Sequence, residues 1–144
     1  MTSAQRAVRS FESGFSCSQA VFAAFSETLG LEQTKALKIA QPFGGGIAGM
    51  GSTCGAVSGA LLVIGLKHGR FRPEDLAAKE KTYGLVREFI KRFQERHGST
   101  ICRELIGVDL GTPEGHEEAR RRGVFSERCP LFISQAAEIL EAIL

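Results

Sequence analysis

The chain has 144 residues, 43% hydrophobic and 24% charged, a composition expected of one globular domain spanning residues 1–144. Its 18 basic and 16 acidic side chains give a net charge of +2. A charge this close to balance does not indicate binding to nucleic acid or to an anionic membrane. The composition also excludes a disordered tail, a collagen-like fibre and a disulfide-dependent mini-protein.

In the first third of the chain, apolar residues recur at helical spacing, and each run ends at a glycine or a proline. The first predicted helix carries Ala4, Ala7, Val8 and Phe11 on one face and ends at Gly14. The second carries Val21, Phe22, Phe25 and Leu29 and ends at Gly30. A shorter third helix covers Glu32–Gln41 and ends before Pro42.

The middle of the chain contains a glycine-rich segment followed by an apolar one. Five glycines lie between Phe43 and Thr53, so this stretch is not expected to form a regular element. From Cys54 to Lys67 the residues are apolar on nearly all sides, which is typical of a fully buried helix. We therefore expect this helix near the centre of the fold.

The second half of the chain again shows helical spacing. The longest predicted helix opens at Arg72–Asp75, ends at Gly98 and carries a stripe of Leu76, Tyr83, Val86, Ile90 and Phe93. Ser99 is expected to cap a short helix with Cys102 and Leu105, and another helix runs from Thr112 to Gly123. The last begins at Cys129-Pro130, with Leu131, Phe132, Ile139 and Leu140 as core residues.

No alternating apolar run bounded by turn residues is present, so no strand is predicted. The sequence therefore predicts an all-α fold: a single compact, bundle-like domain of six to eight helices with a buried central helix.

The longest uncharged run, around Val57–Leu66, is shorter than the about 20 apolar residues that a membrane-spanning helix needs. The first residues include no apolar stretch that would serve as a signal peptide. We therefore expect no membrane insertion and a cytoplasmic location, where thiols are kept reduced.

All four cysteines fall at predicted helix starts: Cys17, Cys54, Cys102 and Cys129. The first turn of a helix presents unpaired N–H groups and a partial positive charge, which lowers the pKa of a thiol. A thiolate is both a nucleophile and a ligand for soft metals, so this placement suits thiol–disulfide chemistry or metal binding. Free cysteines that only fill space in a core are the alternative.

The cysteine spacing excludes two familiar local motifs. No Cys-x-x-Cys pair is present, and the spacing of zinc ribbons and RING domains is absent. Any pairing must therefore be brought about by the tertiary fold, and three disulfide connectivities are open.

The segment Gly51–Ala60 contains Cys54-Gly55-Ala56, and Gly59 follows three residues after Ala56. With Cys17 before it and Cys102 and Cys129 after it, the chain resembles the family of redox-active proteins labelled C_GCAxxG_C_C. The resemblance extends from about Ser13 to about Leu131. It implies that the four cysteines are the working residues, with Gly55 and Gly59 as their framework, and it suggests a transporter or an oxidoreductase as a protein partner.

Three functions are compatible with these observations. In the first, Cys54 is the nucleophile of a thiol–disulfide redox protein and Cys17 its partner, with no cofactor required. In the second, the four cysteines hold a zinc ion or an iron–sulfur cluster. In the third, the chain is an interaction protein that docks through its longest helix.

The remaining motifs favour structural roles. Gly55 and Gly59 share a helix face and indicate close helix packing more than ligand contact. The pattern from Gly44 to Gly49 follows no strand, so it is a weak dinucleotide motif, although the helix start at Cys54 could hold an anion. Positions at helix ends or on the surface are expected for His68, His97, His116 and Arg120–Arg122. Tyr83 is expected to lie in the core.

Overall fold

The computed structural model describes residues 1–144, of which 70% are helical, and it contains no strand. Eight α-helices have five or more residues, and a further single-turn helix, α8, was not predicted from the sequence. The helices are α1 Ser3–Glu12, α2 Cys17–Ser26, α3 Gln33–Ala40, α4 Gly55–His68, α5 Leu76–His97, α6 Cys102–Ile106, α7 Pro113–Arg122, α8 Val124–Glu127 and α9 Cys129–Ile143. The predicted all-α fold is confirmed.

Side-chain caps fix where several helices begin. Thr2 and Ser16 each form a capping box, in which the hydroxyl accepts from the backbone N–H of the third helical residue and a glutamine there accepts from the cap N–H. Asp75 and Thr112 cap α5 and α7 through one side-chain bond each. Ser99 does not cap α6 as expected, because its hydroxyl accepts from Ile101 N–H and Ile101 itself is the N-cap.

Helix α4 lies at the centre of the domain and packs against α2, α5 and α9. Val57, Val63 and Ile64 are fully or almost fully buried, as the apolar character of this segment predicts. Most of the fully buried large side chains come from α4, α5 and α9, so these helices form the main hydrophobic core.

Helices α2 and α4 approach closely at a glycine. A Cβ atom at Gly59 would lie 2.7 Å from the Ser18 carbonyl oxygen and 3.2 Å from Ser18 Cα. Ser18 is itself buried and donates its hydroxyl to the Ala40 carbonyl oxygen over 2.8 Å. The close packing predicted for Gly59 is therefore present, and it holds the start of α2 against α4.

Three predicted core residues are exposed instead: Leu76 and Tyr83 on α5 and Leu131 on α9. The buried residues of α5 are Phe89 and Phe93, both in its C-terminal half, so the apolar positions near its start have no packing partner. On α9 the first turn lies at the edge of the domain, and Ile133 is buried in place of Leu131. Periodicity identifies the apolar face of a helix but not how far its neighbours extend along it.

No helix of the chain is both long and apolar enough to cross a membrane.

The glycine-rich loop before α4 contains a run of five residues with positive φ, from Gly45 to Gly49. Two of them are not glycine: Ile47 has a φ of 67° and Ala48 a φ of 49°. A left-handed conformation costs a residue with a Cβ about 1–2 kcal/mol. The loop is closed by backbone hydrogen bonds, such as Gly51 N–H to Gly45 O at 3.0 Å and Ser52 N–H to Gly46 O at 2.8 Å. These bonds hold the two residues in the strained conformation.

Replacing Ala48 with glycine is expected to raise the free energy of unfolding by about 0.5–1 kcal/mol, because relief of strain exceeds the extra entropy of glycine in the unfolded chain. Urea unfolding measures the change. The matched control is Ala77→Gly at an exposed position of α5, where the same substitution should lower the free energy of unfolding. Equal losses in the two variants would show that Ala48 is not strained.

Candidate functional site

A short backbone pairing brings Cys54 and Cys102 together. Thr53 and Ile101 form an isolated antiparallel bridge, in which Cys54 N–H donates to Thr100 O over 2.8 Å and Cys102 N–H donates to Ser52 O over 2.6 Å. The two cysteines are diagonal neighbours across this bridge, and each stands at the start of its helix. Two thiols 48 positions apart in sequence thus reach the same place.

Cys17 is the first residue of α2 and lies against the start of α4. Its sulfur contacts Gly55 so closely that a Cβ atom at this glycine would clash with it. The same Cβ would lie 3.1 Å from Ser18 N and 3.2 Å from Phe43 O. Gly55 is therefore required for the packing of a cysteine sulfur onto a helix start, a role more specific than the general close packing predicted.

Cys129 completes the group and is the first residue of α9. The sequence predicted Cys129 itself as the cap of this helix, whereas the N-cap is Arg128. All four cysteines line one cavity of about 110 Å³. Phe11, Leu105, Ile106, Leu110, Phe125 and Phe132 supply apolar walls, and Ser16, Gly45 and Gly55 complete the lining. The fold thus gathers all four residues that the sequence identified, and all four are free thiols.

The apolar walls were not identified as site residues from the sequence. Phe11 was assigned to the apolar face of the first helix and Phe132 to the core, and Phe125 lies on α8, which was not predicted. An apolar residue that lines a cavity carries the same sequence signal as one that fills a core, so no motif could have separated the two roles.

Backbone amide groups lie near the sulfur atoms of Cys17 and Cys54. Backbone N–H groups of Gly45, Ser18, Cys17 and Gly55 lie near the Cys17 sulfur and lower its pKa. Those of Ala56 and Val57 act in the same way on Cys54. The helix start that was expected to suit an anion therefore acts on two thiols of this chain.

Burial nevertheless outweighs these donors, and the prediction of low thiol pKa values is wrong. Loss of hydration raises the pKa of Cys17, and it raises the pKa of Cys102 to about 11 and that of Cys129 to about 12. The pKa of Cys54 is raised further, first by burial and then by repulsion from Cys17. Cys54 is only 5% exposed, whereas the other three cysteine residues are partly exposed. The resting cluster therefore consists of thiols.

The glycine-rich loop lies between the cysteines. A Cβ atom at Gly46 would lie 2.8 Å from Cys102 Cβ and 2.6 Å from Ser52 N. At Gly44 it would lie 2.7 Å from Ser16 Cβ, beside Cys17. No strand precedes the loop, and it serves here as a wall of the thiol cavity.

None of the three histidines lines the cavity. His68 lies near the C-terminal Leu144, and His116 is exposed on α7. His97 is half-buried between the rings of Phe93 and Phe132, at centroid distances of 4.7 and 5.0 Å, and burial lowers its pKa. No group of three or more His, Cys, Asp or Glu side chains is arranged to hold a metal ion.

The raised pKa values predict that the protein loses stability in alkali. An unfolded thiol ionises near pH 9.0, whereas folded Cys102 and Cys129 ionise near 11 and 12. Between these limits the unfolded chain releases protons that the folded chain keeps, so the free energy of unfolding falls as pH rises above about 9. Urea unfolding across this range measures the slope.

The control for this prediction is the double variant Cys102→Ser/Cys129→Ser, which retains every other group that titrates in alkali. Its free energy of unfolding should fall less steeply above pH 9.0. Identical slopes in the two proteins would contradict the assignment of the effect to these thiols.

A family model described as "Putative redox-active protein (C_GCAxxG_C_C)" matches residues 15–143. The matched range includes all four cysteines, the glycine-rich loop and every helix from α2 onward. No curated protein and no solved structure matches the chain.

Proposed function

Because the chain belongs to the C_GCAxxG_C_C family of redox-active proteins, we propose that it is a thiol–disulfide redox protein. The observation that carries this proposal is the convergence of four free thiols on one cavity. When a disulfide forms between two of them, the pair gives up two electrons and two protons to an oxidised partner, and a dithiol reductant reverses the step.

Within the cluster we assign the attacking thiol to Cys17 and the second thiol to Cys54. As a residue Cys17 is more exposed than Cys54, and backbone N–H groups from three segments of the chain lie near its sulfur and favour the thiolate once it forms. Cys54 is 5% exposed, which suits attack on a neighbouring sulfur better than attack on an incoming substrate. This assignment reverses the roles expected from the sequence and keeps the same pair.

Cys102 and Cys129 face the same cavity, and charge on either Cys17 or Cys102 raises the pKa of Cys129. The four thiols are therefore close enough to influence one another electrostatically. In this proposal the disulfide first formed between Cys17 and Cys54 is able to exchange with this second pair.

The proposal is tested by equilibrating the purified protein in buffers of 2-mercaptoethanol and its disulfide, hydroxyethyl disulfide, set to graded reduction potentials. After acid quenching, intact mass and peptide mapping identify each disulfide. The expected result is one reversible disulfide that contains Cys17 and is absent from Cys17→Ser. Four free thiols at every potential would overturn the proposal, and added mass matching a metal or iron with sulfide would favour the ligand-site hypothesis.

A cytoplasmic location forms part of this proposal, since a reducing compartment returns the disulfide to thiols. A transporter or an oxidoreductase as protein partner stays a prediction.

A further inference from the structure

The wall of the thiol cavity carries no charged side chain. Six aromatic or aliphatic residues and the four cysteines form most of it, and the one hydroxyl belongs to Ser16. A charged substrate that entered this space would lose its hydration without gaining an ion pair, which is costly. The cavity therefore favours an uncharged molecule.

The volume of the cavity limits the size of that molecule. A cavity of about 150 Å³ with similar apolar walls accommodates benzene, which has six carbon atoms. The cavity here has about 110 Å³, so it admits a molecule of about that many non-hydrogen atoms or fewer, or one arm of a longer one. A tripeptide disulfide exceeds this limit several times over.

The polar groups of the cavity distinguish between oxidants. The N–H groups near Cys17 act on its own sulfur, and no cationic side chain lines the cavity to polarise an oxygen–oxygen bond; the charge of Arg128 reaches Cys129 from outside the lining. In thiol–disulfide exchange, one negative charge is shared by three sulfur atoms that lie in a line. The reaction therefore needs fewer hydrogen-bond donors than oxygen transfer from a peroxide does. The site is better suited to sulfur exchange.

We infer that the oxidised substrate of this site is a small, uncharged organic disulfide, an inference that rests on the proposed thiol–disulfide function. The Cys17 thiolate attacks one substrate sulfur, the substrate S–S bond breaks, and the other half leaves and takes up a proton. Cys54 then attacks the Cys17 sulfur and loses its proton, and the second half leaves as a thiol. The substrate gains two electrons and becomes two thiols, while the protein gains one disulfide.

The test compares three small disulfides that differ in charge: hydroxyethyl disulfide, which is neutral, cystamine, which is cationic and has the same number of non-hydrogen atoms, and dithiodiacetate, which is anionic and only slightly larger. The rate of protein disulfide formation is followed by acid quenching and mass, and it is divided by the rate of a free cysteine derivative with the same reagent. The normalised rate should be at least about tenfold higher for the neutral disulfide than for either charged one.

A charge placed in the wall should change this preference. Phe125 is half-buried on α8, and Phe125→Lys is expected to raise the ratio of the anionic to the neutral rate. Tyr83→Lys on the exposed part of α5 adds the same charge away from the cavity and should leave the ratio unchanged. Because both rates are measured on one protein sample, a general loss of stability would not alter their ratio.

Equal normalised rates for the three disulfides would overturn this inference, as would an unchanged ratio in Phe125→Lys. Neither result would affect the proposed function, which is decided by the equilibrium measurement in buffers of 2-mercaptoethanol and its disulfide. If no disulfide forms at any potential in that measurement, the function and the substrate assignment are both overturned.

Discussion

Gly59→Ala is expected to lower the free energy of unfolding by about 1–3 kcal/mol, because the new methyl group overpacks a close helix contact. Its Cβ would lie 2.7 Å from the carbonyl oxygen of Ser18 and 3.2 Å from Val21 Cβ. The nearest atoms belong to the backbone of α2, which is held in place by the buried Ser18 hydroxyl bonded to Ala40. The two helices must therefore separate, and urea unfolding measures the cost.

The matched control is Gly65→Ala, which lies less than two turns later in the same helix. Nothing lies within 4 Å of a Cβ at Gly65, so alanine there should raise the free energy of unfolding by about 0.5–1 kcal/mol through helix propensity alone. Opposite signs for the two substitutions are expected. If both variants gain stability, α2 and α4 do not approach at Gly59 as described.

Cys17→Ser is expected to slow protein disulfide formation by a small neutral disulfide by about 100-fold or more, because serine supplies no thiolate to begin the exchange. Cys17 is the thiol that lies at the starts of α2 and α4 together, and nearby backbone N–H groups favour its thiolate. The rate of protein disulfide formation is obtained from the masses of acid-quenched samples. Cys17→Ser should also lack every disulfide that peptide mapping assigns to Cys17 in the parent protein.

Cys129→Ser is the control, since it removes a half-buried thiol from the same cavity and leaves Cys17 and Cys54 in place. It should react within a few-fold of the parent rate, a change of less than about 1 kcal/mol in the barrier. A parent-like rate in Cys17→Ser, together with a lost reaction in Cys54→Ser, would restore the roles expected from the sequence.

Local sequence signals located most helices correctly, because caps and breakers act through neighbouring residues. Ser16 with Gln19 begins α2, Pro113 lies at the start of α7, and Gly98 ends α5 in a left-handed conformation. The buried character of α4 was equally evident, since a segment that is apolar on every side has no face suited to water. These features depend on a few consecutive residues at a time.

The chemistry of the thiols could not be predicted in this way. A helix start lowers the pKa of a cysteine, and from the sequence this was the only visible effect. The structure adds burial among Phe11, Phe125, Phe132 and their neighbours, and the cost of removing a thiolate from water exceeds the benefit of the amide groups. The hydration of a thiol depends on residues that are distant in sequence. The direction of its pKa shift is therefore determined only in the folded protein.

The sequence by itself determined the all-α fold, the buried helix after Cys54, the four cysteines and the family. Only the tertiary structure decided that these cysteines share a cavity, that the bridge of Thr53 with Ile101 aligns two of them, and that Gly55 supports the Cys17 sulfur. Helix formation follows from short-range propensity and periodicity, which are written along the chain. The cavity depends on the packing of α2, α4, α6 and α9, which no local pattern specifies.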